Sequence, residues 1–355
     1  MNPSISNSKK LVAINFLDQI LIDHNPAYVL LVGSTARGYA EETSDIDLLV
    51  LDSVAGAYPG KIDSISIGGH QVKLEHYRVS DIIEIQKMSG ANIVRQLNRL
   101  RDAEVIFQKP NNDFETIRPT HTIVRQAFGS PEIFVMSIEE NLAAAFTAFD
   151  KGLIEEVILR SYMASEALAF LLLSIGNVPV SYSKSKWVHL GLSRLGNTSI
   201  LENYLSSTLA VTCTQNIVRS PELLDVFHET IKSYCRPDLL AESQELRRVV
   251  WVAEKNLRDT KALIAKGEIL ATRSSVIEYV TFGTQAIAKA KSWSYDTLLD
   301  SETIFRRMTS SEKIPPRQIL FPNEKPTSKA ASQSYNSAVY MYEEVIQFLG
   351  ITPPI

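Results

Sequence analysis

Two aspartates, Asp45 and Asp47, interrupt a run that is otherwise built to be buried: Ile46 and Leu48-Leu49-Val50-Leu51 are the residues of an inner strand. Positions two apart on a strand point to the same face. Paired carboxylates on such a face repel each other and lose hydration, and a divalent cation removes both costs. Mg²⁺ suits this setting, because it takes a few carboxylates and fills its remaining positions with phosphate oxygens. Upstream, Tyr28–Val32 (YVLLV) reads as a second buried strand that ends at Gly33-Ser34. Glycine lets the backbone approach a bulky anion, a helix over Ser34–Ala40 offers free N–H groups at its start, and Ser34 adds a hydroxyl. A phosphate cradle beside a carboxylate pair is the equipment of phosphoryl or nucleotidyl transfer.

Other readings of the same residues fail on spacing. Gly33 to Gly38 has the four-residue gap of a Walker A loop, but Tyr39-Ala40 stands where Lys-Ser/Thr is required. A calcium loop needs a third oxygen ligand and a glycine after the acids, where this chain has Leu48-Leu49-Val50.

The surrounding pattern is α/β. Leu11, Ile14, Leu17, Ile20 and Leu21 fall at helical spacing, and Asn25-Pro26 ends that helix. Alternation over Ile62–Val79 around Gly68-Gly69 predicts a hairpin. A helix capped at Ser80-Asp81, a further one over Asn92–Asp102 and a strand over Ala103–Phe107 complete the unit. Lys109-Pro110-Asn111-Asn112 marks a change of pattern. Helical stripes follow at Ser137–Phe149, Leu153–Leu173, Lys186–Leu195, Glu245–Ala265, Ser274–Lys291 and Tyr335–Leu349, and the Pro-, Ser- and Lys-rich stretch Thr309–Ser334 reads as extended. The expected fold class is α+β: a mixed-sheet domain over residues 1–109, then a larger, mostly α-helical domain over residues 110–355.

Composition narrows the partners. Lys plus Arg number 36 against 40 Asp plus Glu, for a net charge of -4, so a long nucleic acid held by phosphate neutralisation is not expected. Cys213 and Cys235 have no metal-site spacing and read as two reduced thiols of a cytoplasmic protein. The N-terminus is polar, and the most apolar run, Ala167–Leu173, is shorter than a bilayer requires, so no membrane is expected. The six histidines show no paired spacing and read as structural. Arg95, Arg99 and Arg101 read as a solvated helix face.

Gly33-Ser34, Gly38 and Ser44-Asp45-Ile46-Asp47-Leu48 resemble the signature of the nucleotidyltransferase superfamily, whose members include DNA polymerase β, kanamycin nucleotidyltransferase and the minimal nucleotidyltransferases. Leu100-Arg101-Asp102-Ala103, leading into Val105–Phe107, is similar to its small-molecule members. The resemblance covers Met1 to Lys109. It implies that Gly33, Ser34 and Ser44 hold nucleotide phosphates and that Asp45 and Asp47 bind two Mg²⁺ ions, or Mn²⁺ in their place. A third carboxylate is implied on a later strand. Glu75 fills that role, with Val72 and Leu74 on the opposite face of its strand, and Asp63 is the fallback. Arg37, one turn from the cradle, is a further phosphate ligand by position. Arg160-Ser161-Tyr162 and Ser185-Lys186-Trp187 resemble the helical domain of antibiotic nucleotidyltransferases, which implies Lys186 as a phosphate ligand, and Glu166 is a candidate base on the same helix as Arg160. The implied partners are a nucleoside triphosphate and an acceptor, a small molecule before RNA or protein. A nucleotide-binding relative without turnover is the alternative from another class.

Overall fold

The computed structural model describes residues 3–38, 40, 42, 44–52, 62–127, 129, 131–175, 188–209, 221–295, 304, 307, 308, 319, 320 and 326–351. They fall into two compact units, Met1–Pro131 with Leu173–Ser183, and Glu132–Leu172 with Lys184–Ile355.

The first unit is built on a five-stranded mixed sheet. Its strands are β1 (Tyr28–Val32), β2 (Ile46–Leu51), β3 (Ile62–Ile67), β4 (His70–Tyr77) and β5 (Glu104–Gln108), in the spatial order β3-β4-β2-β1-β5. β2 runs parallel to β4, and every other pair is antiparallel. The predicted hairpin is present, turning at Gly68-Gly69, both with positive φ. Alternation along the central strands separates two cores. Val29, Leu31, Ile46, Leu48, Val50, Val72 and Leu74 pack on one face against Ala13 and Ile20 of α1 (Pro3–Asn15) and α2 (Leu17–His24). Tyr28, Leu30, Val32, Leu49 and Leu51 pack on the other, against Ile82 of α4 (Val79–Ile85), Leu100 of α5 (Ala91–Arg101) and Phe114. A short helix, α3 (Gly33–Ala36), joins β1 to the segment before β2, and α6 (His121–Ala127) follows β5.

The N-terminal stripe differs from its sequence pattern. The helix divides at Phe16, and Leu11 and Ile14 stay 59% and 42% exposed while Ser6, Lys9 and Ala13 turn inward. The buried face is partly polar, because Lys9 and Ser6 find acceptors and donors there.

The second unit is helical: α7 (Pro131–Asp150), α8 (Ile154–Ile175), α9 (Val188–Arg194), α10 (Thr198–Leu209), α11 (Glu222–Tyr234), α12 (Pro237–Glu242), α13 (Gln244–Ala265), α14 (Ile269–Ala290) and α15 (Ser328–Leu349). Val157, Phe227, Leu257, Val276, Tyr279 and Ile287 belong to one core, with Tyr279 donating to the Leu224 carbonyl at 3.0 Å. α15 begins at Ser328 rather than Tyr335, because the Thr327 hydroxyl caps it by accepting from Ala330 N. Residues 309–318 and 321–325 of the stretch expected to be extended lie outside the described residues. The Ala167–Leu173 run is part of a 22-residue helix that by length and composition is apolar enough to cross a membrane. That stretch is 72% buried within the protein, as in a core helix.

Candidate active site

The antiparallel register sets Asp47 opposite Val32, beside the turn at Gly33. Gly33 has φ +73°, and a Cβ there would lie 2.7 Å from the Asp47 Oδ2. Glycine is therefore required twice at this position, for the left-handed backbone and for the close approach of the carboxylate. Ser34 follows in the first turn of α3, where N–H groups have no partner within the helix. Asp45 sits just ahead of β2 and accepts from Lys73 Nζ at 2.6 Å. Lys73 stands opposite Asp47 in the parallel register with β4 and reaches back to Asp45.

Asp47, Lys73 and Glu75 share one face of the sheet, as the β2–β4 register requires. Both Glu75 oxygens accept from Arg99 of α5, at 2.6 and 2.7 Å, in a fork-to-carboxylate pair. Arg99 is three-quarters buried, so it is not part of a solvated face. Burial opposes its charge, yet the hydrogen bonds and charge of Glu75, with Asp47 beyond, hold its pKa above the ordinary guanidinium value. Asp63 lies on the opposite face, opposite Leu74 and 3.3 Å from His76 Nε2, which removes it as the fallback third carboxylate.

The segment carrying Ser44 and Asp45 is held from beneath by α1. Lys9, 1% exposed, donates to the carbonyls of Glu42 (3.0 Å) and Ser44 (2.7 Å) and approaches His70 Nδ1 at 3.3 Å. Ser6 accepts from Ala40 N at 2.9 Å. Desolvation lowers the Lys9 pKa, against the pull of Asp45 and Glu42. The sequence reading missed Lys9, since a lysine in a polar leader carries no apolar signal. Ser44 itself is buried, with its carbonyl engaged by Lys9.

Arg37 turns away from solvent. It bonds Asp102 through Nε (2.9 Å) and Nη2 (2.8 Å) and the Asn98 carbonyl through Nη2 (3.2 Å). Lys186 lies outside the described residues, as do Cys213, Ser185 and Trp187. Cys235 is buried, and burial pushes its thiol up to about 11. Glu166 of α8 accepts from the Tyr204 hydroxyl at 2.5 Å, and burial, with the charge of Glu278, raises its carboxyl to about 7.

Among the described residues no three His, Cys, Asp or Glu side chains gather as a self-contained metal cage. The donors nonetheless fit a hard cation shared with a substrate, since Mg²⁺ is usually bound by one or two carboxylates and completed by phosphate oxygens. Asp45, which is paired with Lys73, and Asp47 are the carboxylates that would serve, and the bare Cα of Gly33 leaves room for the second. Residues 14–101, about a quarter of the chain, match the family model described as a nucleotidyltransferase domain. No curated protein matches the chain. The match spans β1, the Gly33-Ser34 turn, both aspartates, Glu75 and Arg99, and through it the chain carries a nucleotidyltransferase domain of the superfamily that its Ser44–Leu48 motif resembles.

Proposed function

We propose that this chain transfers a nucleoside monophosphate from a nucleoside triphosphate to an acceptor hydroxyl, with a small molecule as acceptor and pyrophosphate as the second product. The carrying observation is the approach of the Asp47 carboxylate to the bare Cα of Gly33, which sets an acidic side chain against the Gly33-Ser34 turn. Asp45 and Asp47 would hold Mg²⁺, and Glu75, on the same sheet face as Asp47, would complete the carboxylate set. Bound there, the ion supplies Lewis-acid polarisation of the phosphate oxygens.

The residues of this chain perform the remaining work in this reading. Gly33 and Ser34 bind the β- and γ-phosphates and fix the α-phosphorus for in-line attack. The acceptor oxygen forms its bond to that phosphorus as the bond to the pyrophosphate oxygen breaks. The hydroxyl proton passes to Glu75, which Arg99 holds in orientation. Catalysis belongs to residues 1–109 and acceptor choice to the helical residues 110–355, in a cytoplasmic enzyme.

The test is incubation of each α-phosphate-labelled triphosphate with a cell extract and Mg²⁺, comparing wild type with Asp45→Asn and Asp47→Asn. Label on a small molecule with wild type alone supports the proposal, with transfer in either variant reduced by at least about a thousandfold. Label on RNA or a protein band would reassign the acceptor. Undiminished transfer by either variant would remove the carboxylate pair from the mechanism.

A further inference from the structure

A second cluster of charge lies in the first unit, where α5 ends and α6 begins. Arg37 and Arg101 share one carboxylate, Asp102: Arg37 binds its Oδ2, and Arg101 Nε donates to its Oδ1 at 2.9 Å. All three side chains are at least nine-tenths buried. Arg118 donates to the carbonyls of Arg101 and Ala103, both at 2.7 Å. Desolvation first, then the charges of Arg101 and Arg125, lower the His121 pKa, against a hydrogen bond to the Ile175 backbone that raises it. Arg118 is paired with Glu115 at 2.7 Å, so the charge left over at this corner is that of Arg37 and Arg101 against the single carboxylate of Asp102.

The polar atoms left over are the telling ones. Among the described residues, both Nη atoms of Arg101 are buried without a hydrogen-bond partner. So are His121 Nδ1 and both side-chain polar atoms of Asn98, one helical turn before Arg101. Buried donors are ordinarily satisfied, and each exception calls for an explanation. Nη1 and Nη2 form one edge of the guanidinium fork, the edge that matches two oxygens of a phosphate or carboxylate. Nε, on the other edge, is already committed to Asp102.

We propose that Arg101, supported by Arg37, His121 and Asn98, forms an anion site for a compact phosphate-class oxyanion, separate from the Gly33-Ser34 turn. Free orthophosphate and pyrophosphate share the required chemistry: two adjacent oxygens for the Arg101 fork, a further acceptor for a neighbouring N–H, and negative charge to balance two guanidinium groups against one carboxylate. The site does not depend on the transfer reaction, so it stands or falls apart from the proposed function.

The experiment is calorimetric titration of the full chain with orthophosphate and with pyrophosphate, without nucleotide or metal. Wild type, Arg101→Gln, Arg101→Lys, His121→Gln and Ser34→Ala are compared, with far-UV circular dichroism reporting folding. Wild type and Ser34→Ala are expected to bind one or both anions. Arg101→Gln and Arg101→Lys are expected to bind at least about tenfold more weakly, the lysine because it keeps the charge and loses the fork. The anion that binds more tightly identifies the source. If Arg101→Gln fails to fold, Arg101→Lys and His121→Gln carry the same comparison, with weakened binding expected in each. Wild-type affinity in the folded Arg101 variants, loss confined to Ser34→Ala, or no binding of either anion by wild type would each overturn the proposal.

Discussion

At the scale of single residues, the candidate site depends on a glycine as much as on its acids. Gly33→Ala places a methyl 2.7 Å from the Asp47 Oδ2 and forces a non-glycine residue to φ +73°. The backbone term alone costs about 1–2 kcal/mol. Displacing Asp47 by about 1 Å is expected to cost transfer on the order of a hundredfold. The variant is therefore expected to fold, to melt a few degrees lower, and to lose activity far beyond what the stability loss explains. Calorimetry paired with a transfer assay checks both parts. Wild-type turnover in a folded Gly33→Ala would show that the turn and the carboxylate are not coupled. The glycine, the serine and both aspartates stand out in the sequence because each breaks its local pattern, and the role given to them here is that of the proposed chemistry. Arg99 does not stand out. Its neighbours Arg95 and Arg101 share the helix, and nothing in the sequence shows that Arg99 is the one that meets Glu75 or that Arg101 is buried against Asp102. Lys9 was hidden for a similar reason: its partners are backbone carbonyls of Glu42 and Ser44, which no side-chain pattern records.

At the scale of elements, packing and titration in the helical unit make two further predictions. Gly283 on α14 lies where a Cβ would stand 2.6 Å from Ile231 Cδ1 and 2.8 Å from Phe227 Cε1, both on α11. Gly283→Ala removes a helix-destabilising glycine, but the overlap in a close-packed core outweighs that gain, for a net loss of about 1–2 kcal/mol. Chemical denaturation measures it, and a stabilised variant would mean that the α11–α14 contact yields freely. Glu166 gives a pH signature. Its folded pKa of about 7 lies above the usual carboxylate value, so the folded state binds the extra proton. Its contribution to stability is full below the unfolded pKa and is lost as pH rises through the folded one, between about 4.5 and 7. At about 1.4 kcal/mol per unit, the change is at most about 3 kcal/mol. Glu166→Gln should flatten this part of the stability–pH curve, and an unchanged slope would assign the titration elsewhere. The long helices were readable because they repeat an apolar stripe over many turns. α1 was misread because its inward face is partly polar, with Ser6 and Lys9 beside Ala13. The start of α15 was misplaced because Thr327 caps a first turn poor in apolar residues.

At the scale of the whole molecule, sequence and structure agree on class: a mixed α/β unit that carries the motif, followed by a mostly helical chain. The helical part has amphipathic order without a chemical motif, so its sequence names no acceptor. The central claim is that the α-phosphorus, not the γ-phosphorus, is the centre attacked. A parallel assay with α-labelled and γ-labelled triphosphate, Mg²⁺ and an acceptor-containing extract separates the two. The account predicts α-label on the acceptor and γ-label released as pyrophosphate, both abolished in Asp47→Asn. γ-label on the acceptor, or nucleotide consumed equally by Asp47→Asn, would contradict it.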